Sequence, residues 1–464
     1  MIKELDRLVK ILAENNLEGF LVGGVVRDYL LERKIKDVDL AIKGQVEQVA
    51  KEFAAKIDGS FVILDQKHDI YRVVKEELIY DFALLAGATI EADLKRRDFT
   101  INALAIKLTA DLLAALLKQA DLTEYLIDPL SGIDDLKQQS IKAAQDNTFC
   151  SDPIRLFRAV RFAARLSFDL EQQTKELMRE VEAKEVKKVA KERIREELIK
   201  LLASNRAAQH LIELEEEFSL LSLLIPEIER LKEIGQCKYH QEDVWTHSTY
   251  ALQRLEELLR EEFWSARIEQ KRVSLLKLAL LFHDLGKIWT EEIIDGEVHF
   301  YDHQRVGAKR LEPILSELRF SKGETSYIRT LVRYHMRPMS LYYAQNLTAK
   351  GKYRFFRAGG EFVSDICLVA AADLISTKEL NNKTEEIEGC IRFLQQLIKE
   401  FEQSEERTKT RLVTGDEIID VFSITEGPQV GELLEQVREA QAIGKVETKE
   451  EAIEYLKKEV ANFD

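Results

Sequence analysis

Leu21-Val22-Gly23-Gly24-Val25-Val26-Arg27-Asp28, followed after a short helix-like segment by Lys36-Asp37-Val38-Asp39-Leu40, is the stretch on which the fold of this chain turns. The apolar run Gly19 to Val22 reads as a strand that ends in two glycines. With no side chain in the way, backbone N–H groups there can approach a polyphosphate closely, and Arg27 can pair with its oxygens. Asp37 and Asp39 stand two apart in a strand-like segment, so both carboxylates project from one face and can share Mg2+ ions. Each half alone is common: Gly-Gly after a strand is usually a tight turn, and Asp-x-Asp a solvated edge. Their order and closeness give the pair its meaning.

Outward from this stretch, residues 1 to 142 alternate helical and strand patterns. A helix runs to Asn16, strands cover 19–22 and 37–42, and a helix covers Val46 to Ile57. Strand-like runs follow at Phe61 to Leu64, Ile70 to Val74 and Leu78 to Leu84. Beyond Ile141 the pattern is almost wholly helical, interrupted by Pro153, Pro226, Gly235 and the pair Gly359-Gly360. The expected organisation is a head at 1–142, a neck at 143–225, a central domain at 226–385 and a tail at 386–464. With 464 residues, 45% hydrophobic and 33% charged, the chain can bury several cores.

The glycine turn and the Asp pair together resemble the signature of the DNA polymerase β nucleotidyltransferase superfamily. Arg96-Arg97-Asp98-Phe99-Thr100-Ile101-Asn102-Ala103 narrows this, since it resembles the second motif of the class II tRNA nucleotidyltransferases and their poly(A) polymerase relatives. The resemblance implies an α+β fold: a polymerase β-like head, then an all-helical neck, HD domain and tail. It implies addition of CCA, or part of it, to tRNA 3′ ends from CTP or ATP, with Asp37 and Asp39 holding Mg2+. Asp81, in Ile79-Tyr80-Asp81-Phe82, reads equally as a third carboxylate of that site or as an edge-strand Asp. Gly23, Gly24, Arg27, Arg96, Arg97, Asp98 and Asn102 are implied nucleotide contacts, Asn102 through an amide suited to sugar hydroxyls. Asp128-Pro129-Leu130-Ser131-Gly132 resembles a hinge motif of the same family and is turn chemistry in its own right.

The neck opens with Ser151-Asp152-Pro153-Ile154-Arg155, Pro153 suiting a first helical turn. Arg155, Arg158, Arg161 and Arg165 then fall on about one-third of the helix circumference, which predicts a cationic face. By resemblance Asp152 and Arg155 read the edge of the incoming base, with Arg158 and Arg161 beside them as nucleotide contacts. The family commonly has Glu before that Asp, and this chain has Ser151. Lys191 to Leu198 resembles the last family motif, a brace for this helix, and its Glu192/Glu196 and Arg193/Glu197 spacings also suit i,i+4 pairing on a solvated surface.

Of eight histidines, His247, His283, His303 and His335 recur through the central segment, with Asp284 directly after His283 and Asp373 in an apolar run. Imidazoles and carboxylates converging from several helices suit a divalent transition metal that activates water. The order resembles the HD phosphohydrolase family, which implies Ni2+, Mn2+, Co2+ or Mg2+ and hydrolysis of phosphomonoesters or 2′,3′-cyclic phosphates. His240 and His299 carry no assigned role.

A net charge of −15 argues against tight nonspecific nucleic-acid binding, yet 68 Lys and Arg leave room for a local basic track. Cys150, Cys237, Cys367 and Cys390 are too scattered for a zinc ribbon or a disulfide framework and fit a reducing cytoplasm. No apolar run has the length of a membrane span. The segment Ala83 to Thr89 is short where full CCA-adding enzymes usually carry a longer flexible loop, which favours partial addition. Two other readings stay open: a poly(A) polymerase, and an HD phosphohydrolase whose head only docks RNA.

Overall fold

The computed structural model describes residues 1–118, 121–234, 242–379 and 383–461. The breaker Gly235, Cys237 and His240 lie outside them. Two compact units, Met1–Glu197 and Leu198–Asp464, divide the chain.

In the first unit the elements run α1 (Ile2–Glu14), β1 (Gly19–Val22), α2 (Gly24–Leu30), β2 (Asp37–Ile42), α3 (Val46–Ile57), β3 (Ser60–Asp65), β4 (Ile70–Lys75), β5 (Leu78–Leu84), α4 (Ile90–Lys95), β6 (Ala105–Lys107), α5 (Ala110–Leu117), β7 (Leu126–Ile127) and α6 (Gly132–Lys137). One seven-stranded sheet has the order β3-β4-β5-β2-β1-β6-β7. All pairs are antiparallel except β2 with β5, which is parallel. Period-two alternation sorts the side chains. Val38, Leu40, Ile42, Tyr80 and Phe82 are buried on the face covered by Phe53 of α3, whose ring meets Tyr80 at 5.0 Å and Phe82 at 5.5 Å. The residues between them, Asp37, Asp39 and Asp81, therefore point to the opposite face. Burying this apolar face fixes the register, because a one-residue slip would drive the acids inward.

After β8 (Ser140–Ile141) and a short turn of helix, α7 (Thr148–Ser151), the arginine-bearing helix α8 spans Arg155–Leu166. Its C-terminus turns through Ser167 (φ 59°) into β9 (Asp169–Leu170), which pairs in parallel with β8. The unit ends within the helix Lys191–Leu202, at Glu197.

The second unit is helical, as its sequence pattern predicts, apart from one hairpin. β10 (Glu291–Ile294) and β11 (Glu297–Phe300) pair around Asp295-Gly296, both with positive φ (52° and 81°). Asp-Gly between strands is the signature of a type I′ turn, so the signal for this hairpin was present within an otherwise helical stretch. Toward the C-terminus, helices Gly415–Phe422, Pro428–Ala442 and Lys449–Ala461 share a small core built on Val413, Ile418, Leu433, Val437 and Leu456. Cys150, Cys367 and Cys390 form no disulfide with one another, and no described helix is long and apolar enough to cross a membrane.

Candidate active site and metal centre

β2 and β5 place Asp39 opposite Asp81 in parallel register, and β4 places Arg72 opposite Asp81 in turn. The row Asp39, Asp81, Arg72 thus crosses three strands on one face. Asp81 is bound at both oxygens by Arg72, Nε at 2.7 Å and Nη2 at 2.8 Å, a bidentate fork that no short-range sequence pattern announced. Asp37 is exposed and Asp39 partly buried. Burial pushes the Asp39 carboxyl up to about 6, with the neighbouring Asp81 and Asp37 charges adding to the shift and Arg97 opposing it. A site that resists its own negative charge in this way, and presents carboxylate oxygens on one face, fits a divalent cation.

The glycine turn sits directly against these acids. Gly23 has φ 69°, a backbone conformation that favours glycine, and a Cβ there would also push on Arg97 Nη1, 2.6 Å away. A Cβ on Gly24 would stand 3.5 Å from Asp39 Oδ2. The Gly23 N–H is spent on the Leu104 carbonyl at 2.9 Å, whereas the N–H groups of the first turn of α2 have no acceptor within the helix. Arg97 is steadied by Asp93, whose Oδ2 accepts from Nε (3.2 Å) and Nη2 (3.1 Å). Asp93 Oδ1 accepts the Ala86 N–H at 3.0 Å and so fixes the link between β5 and α4.

Several predicted nucleotide contacts occupy a buried network instead. Arg27 is 2% exposed, donates to Asp28 Oδ1 (2.8 Å) and Asn102 Oδ1 (2.5 Å), and lies over the Phe162 ring at 5.0 Å. Its guanidinium is thus held by side chains of α2, of the Asn102 segment and of α8. Asn102 donates to Asp98 Oδ1 at 3.0 Å, so its amide is engaged on both sides. Asp98 Oδ2 takes Arg158 Nε at 2.8 Å and Nη2 at 2.5 Å. Burial raises the Asp98 carboxyl, but the Arg158 charge and the Asn102 and Arg158 hydrogen bonds outweigh it and leave it below its usual range.

On the predicted cationic face of α8, Arg158, Arg161 and Arg165 are each met by an acid, and Arg161 is buried whereas Arg165 stays exposed. Arg161 is paired with Glu197, and both side chains are 7% exposed. Arg165 reaches Asp28 at 3.4 Å, and Arg158 and Arg161 also flank the Phe162 ring at 5.4 and 4.0 Å. Helix periodicity located the stripe correctly, and the acids that cover it come from distant parts of the chain. Arg193 pairs with Asp152 through two contacts of 3.2 and 2.8 Å. The helix Lys191–Leu202 thus sends Arg193 and Glu197 to long-range partners on the α8 side, in place of the expected pairing of the two along a solvated surface. Arg155 donates to the carbonyls of Arg96 (2.9 Å) and Thr148 (3.2 Å). Asp152 and Arg155 remain partly accessible, next to the Arg96-Arg97 segment.

In the second unit all six predicted HD residues converge. His247 comes from the helix Val244–Leu258, and His283-Asp284 follow the helix Val273–Leu281. His303 opens the helix His303–Glu317, His335 caps Lys322–Tyr334, and Asp373 lies in Val363–Glu379. Their donor atoms form three overlapping groups, each within 4.8 Å. His247 Nε2 lies 3.0 Å from Asp373 Oδ1, His303 Nε2 3.2 Å from Asp284 Oδ1, and His303 and His335 face each other through Nε2 at 3.4 Å. Three imidazoles are aimed by main-chain carbonyls at their far nitrogen: His283 by Leu280 (2.7 Å), His303 by Phe300 (2.9 Å) and His335 by Val332 (2.8 Å). With Nδ1–H donating outward, each Nε2 faces inward, the orientation metal-binding histidines adopt. His283 Nε2 is buried without a hydrogen-bond partner. Although burial works against it, Asp284 and Asp373 raise His283 to about 10, whereas burial and the His283 and His303 charges lower His335 to about 3. An anionic pocket that draws a proton onto one imidazole and leaves another bare fits a divalent metal. Gly286 is required at this centre, since a Cβ would lie 1.9 Å from the His303 carbonyl oxygen. Lys287, three residues after Asp284, binds its Oδ2 at 2.6 Å.

Known proteins place this geometry in a lineage. Over 94% of its length the chain is 31% identical to the A-adding tRNA nucleotidyltransferase of Deinococcus radiodurans, covering 94% of that protein. Over 95% it is 33% identical to the CC-adding tRNA nucleotidyltransferase of Thermus thermophilus, covering 93% of it. The chain belongs to the tRNA nucleotidyltransferase family. Within this tRNA nucleotidyltransferase, residues 19–88 and 83–142 match the Poly A polymerase head domain. Residues 167–232 match the probable RNA and SrmB-binding site of polymerase A, and 244–377 the HD domain. Its fold is that of the Thermotoga maritima CCA-adding enzyme complexed with tRNA, with TM-score 0.64, 23% identity and coverage of 99% of this chain and 95% of that one. A CCA-adding enzyme in complex with ATP matches with TM-score 0.66 at 22% identity, over 99% of this chain and 95% of the other.

Proposed function

We propose that this chain transfers a nucleoside monophosphate from CTP or ATP to the 3′ end of tRNA and adds CC or the terminal A rather than the whole CCA. The observation that carries the reading is the register of β2 against β5, which sets Asp37 and Asp39 on one sheet face with the Gly23-Gly24 turn packed against Asp39. The 3′-hydroxyl oxygen attacks the α-phosphorus as its proton passes to solvent, the bond to the bridging oxygen breaks, and pyrophosphate leaves with that electron pair.

Asp37 and Asp39 hold Mg2+, which when bound neutralises phosphate charge and lowers the pKa of the attacking hydroxyl. The open N–H groups of α2 and the Arg96-Arg97 segment seat the triphosphate. Asp152 and Arg155 meet the base edge with fixed acceptors and donors, held in place by Arg193 and by the Arg96 carbonyl. Arg27, Asp98, Asn102, Arg158 and Arg161 fix the positions of these contacts from beneath. Asp81, occupied by Arg72, supports the Asp pair from the neighbouring strand.

Partial addition is supported by the link Leu85–Thr89, which the Ala86 to Asp93 bond and the Thr89 cap of α4 hold tightly, where the family's full CCA enzymes carry a longer flexible loop. At the second centre His247, His283, Asp284, His303, His335 and Asp373 hold Ni2+, Mn2+, Co2+ or Mg2+ for hydrolysis of phosphomonoesters or 2′,3′-cyclic phosphates. The test is incubation with tRNAs lacking CCA, ending in one C and ending in CC, with labelled CTP or ATP. Incorporation confined to one nucleotide supports the reading. Full CCA synthesis overturns the partial assignment, long A tracts indicate a poly(A) polymerase, and no incorporation on any tRNA overturns transfer itself.

A further inference from the structure

On the open face of the head sheet, one row of side chains runs away from the glycine turn. β1 ends in that turn, and beyond it follow β2 with Asp39, β5 with Asp81, β4 with Arg72 and the edge strand β3 with Val62, which is paired with Arg72 and 41% exposed. Two guanidinium groups bracket the acids. Arg97 stands on the glycine-turn side, with Nε and Nη2 held by Asp93 and Nη1 within 2.6 Å of the place a Gly23 Cβ would take. Arg72 stands on the other side, two inter-strand spacings or about 10 Å from β2. It too is held through Nε and Nη2, here by Asp81. That fork takes two of the five guanidinium donors and leaves the Nη1 edge to meet a second oxyanion. The Asp81 hydrogen bonds, with the Asp37 and Asp39 charges adding to them, hold Arg72 above its usual range although burial opposes this, and its side chain is 35% exposed.

Phosphoryl transfer sets the attacking and leaving oxygens in line. With the leaving pyrophosphate at the glycine turn, the attacking strand enters from the far side of Asp39, over β5 and β4. Asp37, Asp39 and Asp81 repel an RNA phosphate there, and Arg72 is the cation of their row. We propose that Arg72 binds the acceptor RNA: its Nη1 edge meets the phosphate that joins the last two nucleotides and sets the terminal 3′-hydroxyl on the side of Asp39 opposite the pyrophosphate. Asp81 is then a positioning residue that aims Arg72, which accounts for a carboxylate beside the metal pair with both oxygens engaged by a cation. This assignment rests on the reading of the head as a nucleotidyltransferase.

The test uses the full-length protein with Mg2+ and whichever tRNA it extends, the one lacking CCA with CTP or the one ending in CC with ATP. Each tRNA is prepared with its last internucleotide phosphate intact or replaced by an uncharged methylphosphonate. In the unmodified protein the methylphosphonate is expected to raise the KM for tRNA about tenfold, as loss of one charge-assisted contact implies, and to leave the Kd of the nucleotide unchanged. Arg72→Gln raises the KM for the intact tRNA by a similar factor, lowers the slope of log KM against log salt by about 0.7, and suffers no further loss from the methylphosphonate. Asp81→Asn, which leaves Arg72 its charge, keeps the full salt slope and the sensitivity to the methylphosphonate. An unmodified protein indifferent to the methylphosphonate overturns the contact, and this arm does not depend on how any variant folds. Arg72→Gln and Asp81→Asn behaving alike, or additive losses from Arg72→Gln and the methylphosphonate, overturn it as well. If the unmodified protein extends neither tRNA, the transferase reading fails. The equilibrium Kd of the two tRNA forms then still decides the contact, since equal values overturn it.

Discussion

The head and the HD centre both gather carboxylates around a place for a divalent metal, and they do so in opposite ways. Asp37 and Asp39 lie on an open sheet face, Asp37 exposed, with the backbone of a glycine turn as their neighbour. At the HD centre His247, His283, Asp284 and His335 are each 3% exposed or less, and main-chain carbonyls aim three of the imidazoles. The difference is one of pre-organisation. A site with few protein ligands leaves coordination positions to the incoming phosphates, as Mg2+ with a nucleotide requires. A site with six converging donors binds its ion without help from the substrate. On the proposed reading, the first metal would arrive with the nucleotide and the second would be held by the protein alone.

The strongest way to break this comparison is to remove the open pair. Asp37→Ala combined with Asp39→Ala is expected to lower nucleotide incorporation by about 10³-fold or more, since electrostatic stabilisation of the transferring phosphoryl group is lost. Metal bound at the HD centre, measured by elemental analysis, stays at its original level. Retained incorporation would remove the head acids from catalysis. The converse change is His283→Ala, which is expected to weaken HD metal affinity by about 100-fold or more while incorporation persists. Simultaneous loss of both activities would assign the HD metal a structural role.

Asp39 sharpens the contrast through pH. Its carboxyl is raised to about 6 in the folded chain from an ordinary value of 3.8, so ionised Asp39 opposes folding above that range, and the penalty disappears as pH falls toward 4. Asp39→Asn is therefore expected to raise the melting temperature of the Mg2+-free protein at pH 8 by a few degrees, about 2–4 °C per kcal/mol for a unit of this size. The gain shrinks between pH 6 and 4. In the unmodified protein, incorporation falls as pH drops through about 6, with the midpoint moving lower as Mg2+ is raised. A flat profile would mean that Asp39 carries no perturbed charge. The smallest expected effect belongs to Arg193→Lys, which loses the two-pronged grip on Asp152. It is expected to leave total turnover within a few-fold and to relax discrimination between CTP and ATP about fivefold, read as a ratio of kcat/KM.

Strand and helix limits in the head were legible because short-range alternation determines them. The predicted strands at 19–22 and 37–42 and the helix Val46–Ile57 are the observed ones. The HD set was legible for another reason, since six ligands of the right types in the right order have few competing explanations. The partners of the arginine stripe were not legible. Periodicity puts Arg158 and Arg161 on one side of α8, but only the folded chain brings Asp98 and Glu197 there, across 60 and 36 residues. Arg27 shows the same limit: next to a glycine turn, an arginine that grips phosphate and one held by neighbouring side chains have the same local sequence. The β10–β11 hairpin was missed although Asp295-Gly296 announced it, because a ribbon this short is outvoted by the helical pattern on both sides.

The alternation of β4 and β5 across the Glu76-Glu77 turn has a consequence for how such a chain can drift over generations. Deleting one residue there would swap Asp81 with Phe82, sinking an acid into oil and lifting a ring into water. Exchanging a residue in that turn leaves the two faces of the hairpin in place, whereas removing one is expected to turn β5 over, so length matters more than wording there.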